Sequence, residues 1–535
     1  MPEPESPPAT TSVRDVLAAA VAALGGEQRE GQIAMADAVA DSFTGGQHLL
    51  VQAGTGTGKS LGYLVPALLH DKRVVVATAT LALQHQLVER DIPRLVEAVG
   101  ELPGVDATYA VLKGRSNYAC LHRIREGVPD DQGVLVEVPT GSHGAEVLKL
   151  RAWAEKESTN QGTGERDNAP RHTDRVWRQV SVNHRECLGA AKCAFAQECF
   201  AERAREKAQR SHLIVTNHSL LAIDAVEGVP MIPDYDVVVI DEAHEVVSRV
   251  TQAATDELTV VDVERAARRS QRPVGESDAA DRLDEAAAAL ADALAACSTG
   301  RFDTIPEQLA QALALVRDGA RSCLSAYPKD GDSADAGLTQ AKGMVQEVFV
   351  NAERMAADSD TDVLWLGEAT ERSPARLHVA PLQVWGPMRE KLLSDKTAVF
   401  TSATLRLGGD FTPVATSVGL LPAERVEADS SASEADEDAL PWRGLDVGSP
   451  FDYGKQAILY VARHLPPPGR DGLVEPQLEE IVELVDAAEG RTLGLFSSRR
   501  GAERAAEVVR ERLPHLTMLA QGEAQLPELA KQFVG

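Results

Sequence analysis

A glycine-rich segment followed by lysine and serine is the part of the sequence best suited to chemistry. AGTGTGKS occupies residues 53–60, after the apolar run 48–52 and before a segment of helical character. Glycines let backbone N–H groups turn towards phosphate oxygens, while Lys59 would add a positive charge and the Ser60 hydroxyl would join the shell of Mg²⁺. The segment therefore predicts a nucleotide-phosphate loop, whose binding residues are Ala53, Gly54, Thr55, Gly56, Thr57, Gly58, Lys59 and Ser60.

Two acidic residues follow a second apolar run. DEAH occupies residues 241–244, directly after Val237–Ile240. Ligands of parallel sheets bind at the carboxyl ends of the strands, so Asp241 is predicted to hold Mg²⁺ and Glu242 to polarise an attacking water. Such a pair alone could equally be a solvated turn. Together with the phosphate loop and Lys59, it predicts the catalytic residues of a nucleotide hydrolase.

Four of the six cysteines lie in one segment of the chain. Cys120 is followed by Cys187, Cys193 and Cys199. Four thiolates can hold a [4Fe–4S] cluster or a tetrahedral zinc ion, although zinc sites usually show closely paired cysteines, which this spacing lacks. Free cysteines are also common core residues. Cys297 and Cys323 lie outside this segment and are predicted to be core residues.

The charge distribution distinguishes the same segment. The net charge of -27 argues against a simple nucleic-acid binder, but residues 111–215 hold 17 Lys and Arg against 14 Asp and Glu, a net charge of +3. Basic residues beside aromatic residues suit single-stranded DNA, although they could also be helix surfaces balanced by glutamates. The residues in question are Arg171, Arg175, Arg178, Arg185, Arg203, Arg205, Lys207 and Arg210, with Trp153, Trp177 and Phe195.

Continuous apolar runs predict the fold. The runs are 48–52, 74–80, 212–218, 236–244 and 397–404, and helical patterns separate them. Strands that are apolar on both faces indicate a parallel sheet covered by helices, which is the doubly wound α/β class. The predicted divisions are a disordered tail (1–12), a first α/β domain (13–110, 208–245 and 375–421), a cysteine-bearing domain (111–207), a helical domain without strands (246–374), an acidic linker (422–443) and a second α/β domain (444–535). In the second α/β domain, QAILYVA and TLGLFSS are predicted as strands flanking a helix at 476–488.

Several motifs resemble one family of motor proteins. AGTGTGKS, DEAH and TSAT (401–404), in that order, resemble the motifs of superfamily 2 helicases. REGQIAMADAV (29–39) is similar to their adenine-sensing motif, which implies Arg29 and Gln32 as nucleotide-binding residues. KGRSNYAC (113–120), VTNHSLL (215–221) and GSPFDYGKQ (448–456) resemble the iron–sulfur DinG/XPD branch in particular. The resemblance covers roughly residues 25–505.

This resemblance implies a RecA-like motor with an inserted iron–sulfur domain and a helical arch. It implies ATP and Mg²⁺ as ligands, a [4Fe–4S] cluster on the four cysteines, and 5′-to-3′ unwinding of DNA. Residues 78–87 would touch the DNA backbone, and TSAT would couple hydrolysis to movement. We expect a monomer that prefers single-stranded DNA. We also expect it in the cytoplasm and away from membranes, because neither a signal peptide nor an apolar run of about 18 residues is present.

The sequence bears on two alternatives to a DNA helicase. Some relatives carry an exonuclease domain ahead of the motor, but the phosphate loop starts at residue 53, which leaves no room for one. The family also continues with two further motifs, the second of which carries an arginine finger, and the sequence up to Gly535 contains neither. We therefore expect the second RecA-like domain to be incomplete. The alternative function is that of a fragment that binds ATP and single-stranded DNA without motor activity.

Overall fold

Eleven strands are described in the computed structural model of the chain. The residues described are 12–126, 142–184, 186–228, 230–275, 277–328, 336–369, 374–426, 438–467, 469, 472–523, 529 and 532–533. Most of the predicted tail, the centre of the acidic linker (427–437) and Arg185 lie outside them. The strands are β1 (His48–Gln52), β2 (Val74–Thr78), β3 (Tyr109–Val111), β4 (Leu213–Asn217), β5 (Val237–Asp241), β6 (Asp256–Leu258), β7 (Gly300–Arg301), β8 (Asp362–Gly367), β9 (Arg376–Pro381), β10 (Thr397–Ser402) and β11 (Trp442–Asp446).

The described residues also form twenty α-helices. In this part of the chain, none is both long and apolar enough to span a lipid bilayer. The helices are α1 (Val13–Ala23), α2 (Glu30–Gly45), α3 (Lys59–Leu69), α4 (Leu81–Gln86), α5 (Ile92–Val99), α6 (Leu121–Glu126), α7 (Ser142–Thr159), α8 (Asp174–Trp177), α9 (Phe200–Gln209), α10 (His218–Glu227), α11 (Val246–Ala253), α12 (Val260–Ser270), α13 (Ala279–Ala295), α14 (Glu307–Ala326), α15 (Ala336–Ala356), α16 (Trp385–Met388), α17 (Thr412–Val418), α18 (Tyr453–Gln456), α19 (Glu475–Ala487) and α20 (Arg499–Arg512).

Seven strands form one parallel sheet, in the order β11-β1-β10-β5-β2-β4-β3. Successive residues of β2 point to opposite faces: Val75 and Ala77 join one apolar core, and Val74 and Val76 join the other. Helices cover both faces, so the inner strands are buried throughout. The α/β class predicted from the apolar runs is confirmed, and the five predicted strands are β1, β2, β4, β5 and β10.

The edge strand β11 changes the predicted domain boundary. The sequence had placed residues 422–443 in a linker and started the second domain at 444, whereas β11 pairs with β1 in the first sheet. Trp442 is fully buried in that sheet's core, and its indole N–H donates to the Leu421 carbonyl at 2.7 Å. Strand β11 was not predicted because its sequence, WRGLD, contains a glycine and two charged residues. Only Trp442 in it is fully buried, so the continuous apolar run of a buried strand is missing.

The segment after α11 contains a second sheet, so the prediction of helices alone was wrong. Helices α12 to α15 build an Ala- and Leu-rich core, but β6, β9, β8 and β7 form an antiparallel sheet against it. These strands are short, and burial in β8 alternates between half-buried and buried positions from Val363 to Gly367. A strand buried on one face lacks the continuous apolar run by which the other strands were recognised. The sheet also extends beyond the predicted end at residue 374.

The cysteine-bearing segment has a small core of its own. Side chains from α6, α7, α8 and the start of α9 pack around Trp177, which is 2% exposed. The indole N–H of Trp177 donates to the Ser116 carbonyl at 2.7 Å. Trp177, predicted beside the basic residues as an aromatic for DNA, is therefore a core residue.

Residues 451–535 form a separate unit. Its helices α19 and α20 pack around Leu478, Ala505 and Val508, and α19 confirms the predicted helix. The described part of this unit contributes none of the eleven strands, so the two strands predicted here were wrong. Ile458 and Leu495, in the centres of those segments, are 96% and 85% exposed. An apolar segment becomes a strand only where another strand lies alongside to pair its backbone groups.

Candidate functional site

The predicted motifs meet at one edge of the parallel sheet. The phosphate loop follows β1, DEAH begins at the last residue of β5, and TSAT spans the end of β10. These strands are parallel, and β10 lies between β1 and β5. Their carboxyl ends therefore bring together three motifs that are up to 350 positions apart in the sequence. This is the edge at which open α/β sheets bind ligands.

The phosphate loop is shaped by glycines and supported from two sides. Gly58, with a φ of +84°, precedes α3, and a Cβ there would lie 2.1 Å from the Gln32 amide nitrogen. The Gln32 amide, which is 4% exposed, donates to the Gly58 carbonyl at 3.0 Å. On the other side, the Gly54 N–H donates to the Gly448 carbonyl at 2.9 Å. Gln32, predicted to read adenine, thus supports the loop, whereas the Arg29 side chain is exposed.

Lys59 and Glu242 form the centre of a polar network. The Lys59 ammonium lies 2.9 Å from Glu242 Oε1, and both side chains are largely buried, at 15% and 24% exposure. The Ser402 hydroxyl donates to Glu242 Oε2 at 3.3 Å, and His244 Nδ1 lies 2.8 Å from Ser402 Oγ. The network thereby joins the phosphate loop, DEAH and TSAT. The sequence predicted the three motifs but not these contacts.

Asp241 is a buried carboxylate beside this network. Burial, reinforced by the charge of Glu242 and opposed by that of Lys59, raises the pKa of Asp241 to about 6. The Tyr63 hydroxyl donates to Asp241 Oδ2 at 3.1 Å. Tyr63 was missed in the sequence, although it stands four residues after Lys59 and therefore on the same face of α3. Burial makes ionisation of the Asp241 carboxylate unfavourable, and a divalent cation bound to it would offset that cost. Asp241 therefore fits a site for a divalent cation.

The backbone at Glu242 is strained. Its φ is +52°, a region that residues with a Cβ rarely adopt and that costs about 1–3 kcal/mol. The residue turns the chain sharply from β5, so that Asp241 and Glu242 present their carboxylates to different partners. Asp241 contacts Tyr63, and Glu242 contacts Lys59. Two adjacent acidic residues can thus perform two separate functions.

The four cysteines predicted as ligands surround a single cavity. Its wall also contains Arg115, Phe195 and Gln340. The four are brought together by different elements: Cys120 precedes α6, Cys199 precedes α9, and Cys187 and Cys193 lie in the segment between α8 and α9. Cys297 and Cys323 are not part of this wall. The structure therefore assembles the four predicted cysteines and separates the other two.

The surroundings of the cavity are apolar, with donors aimed at sulfur. Burial raises the pKa of the Cys120 thiol to about 11. Burial also raises the pKa of Cys199, although N–H groups at the start of α9 oppose the rise. Arg115, beside the cavity, forms an ion pair with Glu202 at 2.6 Å. Within the described residues, no three His, Cys, Asp or Glu side chains come close enough to hold one metal ion. A [4Fe–4S] cluster instead places each thiolate on a different iron, so ligands spread around a cavity suit it.

The basic residues near the cysteines divide into two groups. Arg203 donates to the Gly162 carbonyl and Arg205 to the Pro230 carbonyl, each at 2.8 Å. Lys207 lies 5.5 Å from the ring centre of Tyr109. These three side chains thus have contacts within the protein. In contrast, the side chains of four of the predicted residues are exposed and make no ion pair with any other described residue, namely Arg171, Arg175, Arg178 and Arg210.

Comparison with known proteins identifies the family. The DEAD/DEAH box helicase family matches residues 32–130. The chain is 44% identical to the ATP-dependent helicase DinG of Mycobacterium tuberculosis H37Rv, across 98% of this chain and 79% of that protein. The chain belongs to the DinG family of ATP-dependent helicases. It is also 30% identical to the ATP-dependent DNA helicase YoaA of Escherichia coli K12, across 95% of this chain and 77% of YoaA. A solved XPD helicase structure aligns with 95% of the chain and 79% of its own length, at 13% identity and a TM-score of 0.46.

Membership of this family agrees with the geometry of the site. A helicase of this kind needs a phosphate loop, a pair of carboxylates and a group that senses the state of the nucleotide. The sheet edge provides Lys59, Asp241 and Glu242 for the first two requirements. Ser402, which lies on a different strand from the carboxylates and contacts Glu242, fits the third. The chain is therefore an ATP-dependent enzyme of this family.

Proposed function

We propose that the chain is a DNA helicase that moves 5′ to 3′ along single-stranded DNA at the expense of ATP. The observation that carries the proposal is the network from Lys59 through Glu242 and Ser402 to His244. It provides a physical path from the nucleotide phosphates to a strand that bears the coupling motif. The relatives named above are helicases, and the 5′-to-3′ direction rests on the resemblance of the motifs alone.

Rearrangement of this network would link binding to hydrolysis. Lys59 forms an ion pair with Glu242. Phosphate oxygens would compete for the Lys59 ammonium, and Glu242 would then be released to accept a hydrogen bond from the attacking water. Mg²⁺ held by Ser60 and Asp241 would neutralise charge on the transferred phosphate. Ser402, which donates to Glu242, would lose or change its partner at the same step.

Single-stranded DNA as substrate is supported by the exposed arginines. Arg171, Arg175 and Arg178 lie in and next to α8 and make no ion pair within the described residues. In a chain with a net charge of -27, unpaired cations on one short segment suit contact with a phosphate backbone. Such contacts position DNA without reading its sequence. This agrees with an enzyme that must act on many sequences.

We also propose that Cys120, Cys187, Cys193 and Cys199 hold a [4Fe–4S] cluster. The support is their common cavity, its apolar wall and the N–H groups near Cys199. A cluster would cross-link the starts of α6 and α9 and the segment between α8 and α9. That segment has a core of only about a dozen buried residues. Small domains commonly need such a cross-link for stability.

The motor proposal is tested by ATP hydrolysis and unwinding with a protein in which the chain is followed by the two family motifs that residues 1–535 lack. We expect hydrolysis that single-stranded DNA stimulates, and unwinding of a duplex with a 5′ tail but not a 3′ tail. Lys59→Ala should lower hydrolysis by about 10²-fold or more, because a charge aimed at the phosphates is removed. Lys72→Ala, a matched change of an exposed lysine, should leave hydrolysis unchanged. Binding of ATP and single-stranded DNA without any hydrolysis would contradict the motor and favour a binding protein.

The cluster proposal is tested by metal analysis of protein purified without oxygen. We expect about four irons and about four sulfides per chain. Cys187→Ser should lose them, whereas Cys297→Ser should keep them because Cys297 lies outside the cavity. Zinc in place of iron would overturn the proposal, as would equal iron in both variants.

A further inference from the structure

A groove that none of the predicted motifs occupies lies between α11 and the second sheet. It encloses about 440 Å³, which is within the range of ligand pockets. One wall is the outer face of the sheet, and the other is a face of α11. The lining residues are Ser248, Thr251, Gln252, Thr255, Glu257, Trp365, His378 and Ala380.

The sheet wall carries an aromatic pair in a row of four residues. Arg301 is paired with Trp365, Trp365 with His378, and His378 with Glu257, one residue from each strand. The Trp365 and His378 rings are stacked, with centres 4.9 Å apart and planes 9° apart. No other ring or cation of the described residues stacks on the Trp365 indole. One face of the indole is therefore without an aromatic partner.

The helix wall is a polar stripe. Ser248, Thr251, Gln252 and Thr255 are spaced at positions i, i+3, i+4 and i+7, which places them on one face of α11 and its end. The hydroxyls of Thr251 and Thr255 donate to backbone carbonyls. Ser248 and Gln252 are exposed, and the Gln252 amide nitrogen makes no hydrogen bond with the described residues. The groove thus combines a flat ring with amide and hydroxyl groups on the opposite side.

We propose that this groove binds a nucleobase of single-stranded DNA, stacked on Trp365 and within hydrogen-bonding reach of Ser248 and Gln252. The inference rests on the proposed function, because it adds a base-binding subsite to that DNA path. Cross-strand aromatic pairs also stabilise sheets by themselves, but such a pair needs no groove or facing polar stripe. Aromatic rings that stack bases on an open sheet face are a common solution for single strands.

The charges around the groove agree with this occupant. Arg301 and Arg376 lie at the sheet face, where their guanidinium groups could meet the phosphates on either side of a stacked base. Arg376 forms an ion pair with Glu257, and Arg301 lies 3.5 Å from Asp303 with its side chain 66% exposed. Burial lowers the pKa of His378, so the imidazole is neutral at pH 7 and does not repel the arginines. Phosphate contacts and stacking on a base do not depend on which base is bound, so the subsite would be tolerant of sequence.

The groove is physically connected to the ATP site. Helix α11 begins two residues after DEAH, and its eight residues extend about 12 Å to the groove. Val246 and Val250 anchor the helix in one of the two cores of the parallel sheet. A base bound against the polar stripe thus contacts α11, the helix that follows Glu242 closely in the chain. Occupancy of the groove is expected to stimulate hydrolysis as well as to contribute affinity.

Two oligonucleotides of equal length, one of thymidines and one abasic at every position, test the inference. They carry the same phosphates, so only base contacts distinguish them. Trp365→Leu should weaken binding of the thymidine strand about 5- to 150-fold, the value of one stacked base, and should not affect the abasic strand. Trp385→Leu, which alters an exposed tryptophan outside the groove, should weaken neither.

Tryptophan emission provides a second test that uses a conservative variant. Thymidine strands should quench the wild-type chain, and abasic strands should not. The quenching should diminish in Trp365→Phe but persist in Trp385→Phe. Equal quenching in both variants, or equal loss of affinity for the two strands in Trp365→Leu, would overturn the base-binding groove while leaving the helicase proposal intact. If the wild-type chain binds neither strand, the proposed function itself fails, and this inference fails with it.

Discussion

Replacing Asp241 with asparagine should stabilise the nucleotide-free protein at neutral pH and abolish hydrolysis. The pKa of Asp241 is about 6, against an ordinary value of 3.8. The ionised side chain therefore destabilises the folded state by about 3 kcal/mol above pH 6. Asparagine avoids this cost. Its carbonyl can accept from the Glu242 N–H, and its amide can donate to the Tyr63 hydroxyl, so both contacts of Asp241 are kept.

The pH dependence makes this prediction specific. Because the folded-state pKa lies above the unfolded-state value, the unfolded chain binds fewer protons between pH 3.8 and pH 6. The stability contributed by Asp241 is therefore lost as the pH rises through this window. We expect Asp241→Asn to exceed the wild type by up to about 3 kcal/mol at pH 7.5 and by only about 1 kcal/mol at pH 4.5. Hydrolysis by the wild type should fall below about pH 6, because protonated Asp241 binds Mg²⁺ poorly.

Urea unfolding in EDTA, followed by tryptophan fluorescence at both pH values, measures the difference. Asp446→Asn is the matched control, at the end of β11 in the same sheet. Burial alone would raise the pKa of Asp446, but hydrogen bonds from Arg406 and the Gly448 N–H outweigh burial and lower it. That control should be less stable than the wild type at pH 7.5. A destabilised Asp241→Asn, or a gain that does not change with pH, would refute the account of Asp241.

Two further predictions concern the same machinery. Glu242→Gln should abolish hydrolysis and leave ATP affinity equal or higher, because Lys59 is no longer held by a carboxylate; weaker ATP binding in equilibrium titrations would contradict this. Joint charge reversal at Arg175 and Arg178 should reduce the log–log slope of single-strand affinity against salt by about 1.4, at about 0.7 per phosphate contact. Reversal at Arg205 should instead lower thermal stability, because Arg205 anchors the Pro230 carbonyl; an unchanged salt slope in the double variant would place the DNA path elsewhere.

The strands that could be predicted from the sequence are those in which nearly every residue is buried. Strands β2 and β5 are buried on both faces, so a run such as VVVAT carries the whole signal. Strands β3 and β11 lie at the edges of the first sheet, β6, β8 and β9 are buried on one face, and β7 is an exposed strand of two residues, so their sequences are mixed or short. In contrast, the segments around Ile458 and Leu495 were predicted as strands but do not form strands in the structure. They have the composition of strands, but pairing depends on neighbours that composition does not reveal.

The candidate site was predictable in its residues and not in its contacts. Motif spacing predicted Lys59, Asp241 and Glu242, because phosphate and metal chemistry restrict the residue types at each position. The position of Ser402 between Glu242 and His244 depends on the strand order, which places β10 beside β5. For Gln32, the motif predicts a base contact, and the structure adds a hydrogen bond from the buried amide to the Gly58 carbonyl that the motif did not predict. Residue type suggests what a side chain can do, and packing decides which partner it meets.

The position of β1 has a consequence for synthesis on the ribosome. Strand β1 ends at Gln52, and its two neighbours in the sheet begin at Thr397 and Trp442. At roughly 5–20 residues per second, the intervening 350 or so residues take about 20–70 s to be made. Throughout this interval β1 has no strand to pair with, and the phosphate loop lacks the Gly448 carbonyl that supports Gly54. The nascent chain therefore completes the support of its phosphate loop only after both inserted domains have emerged, and until then β1 lacks both of its partner strands.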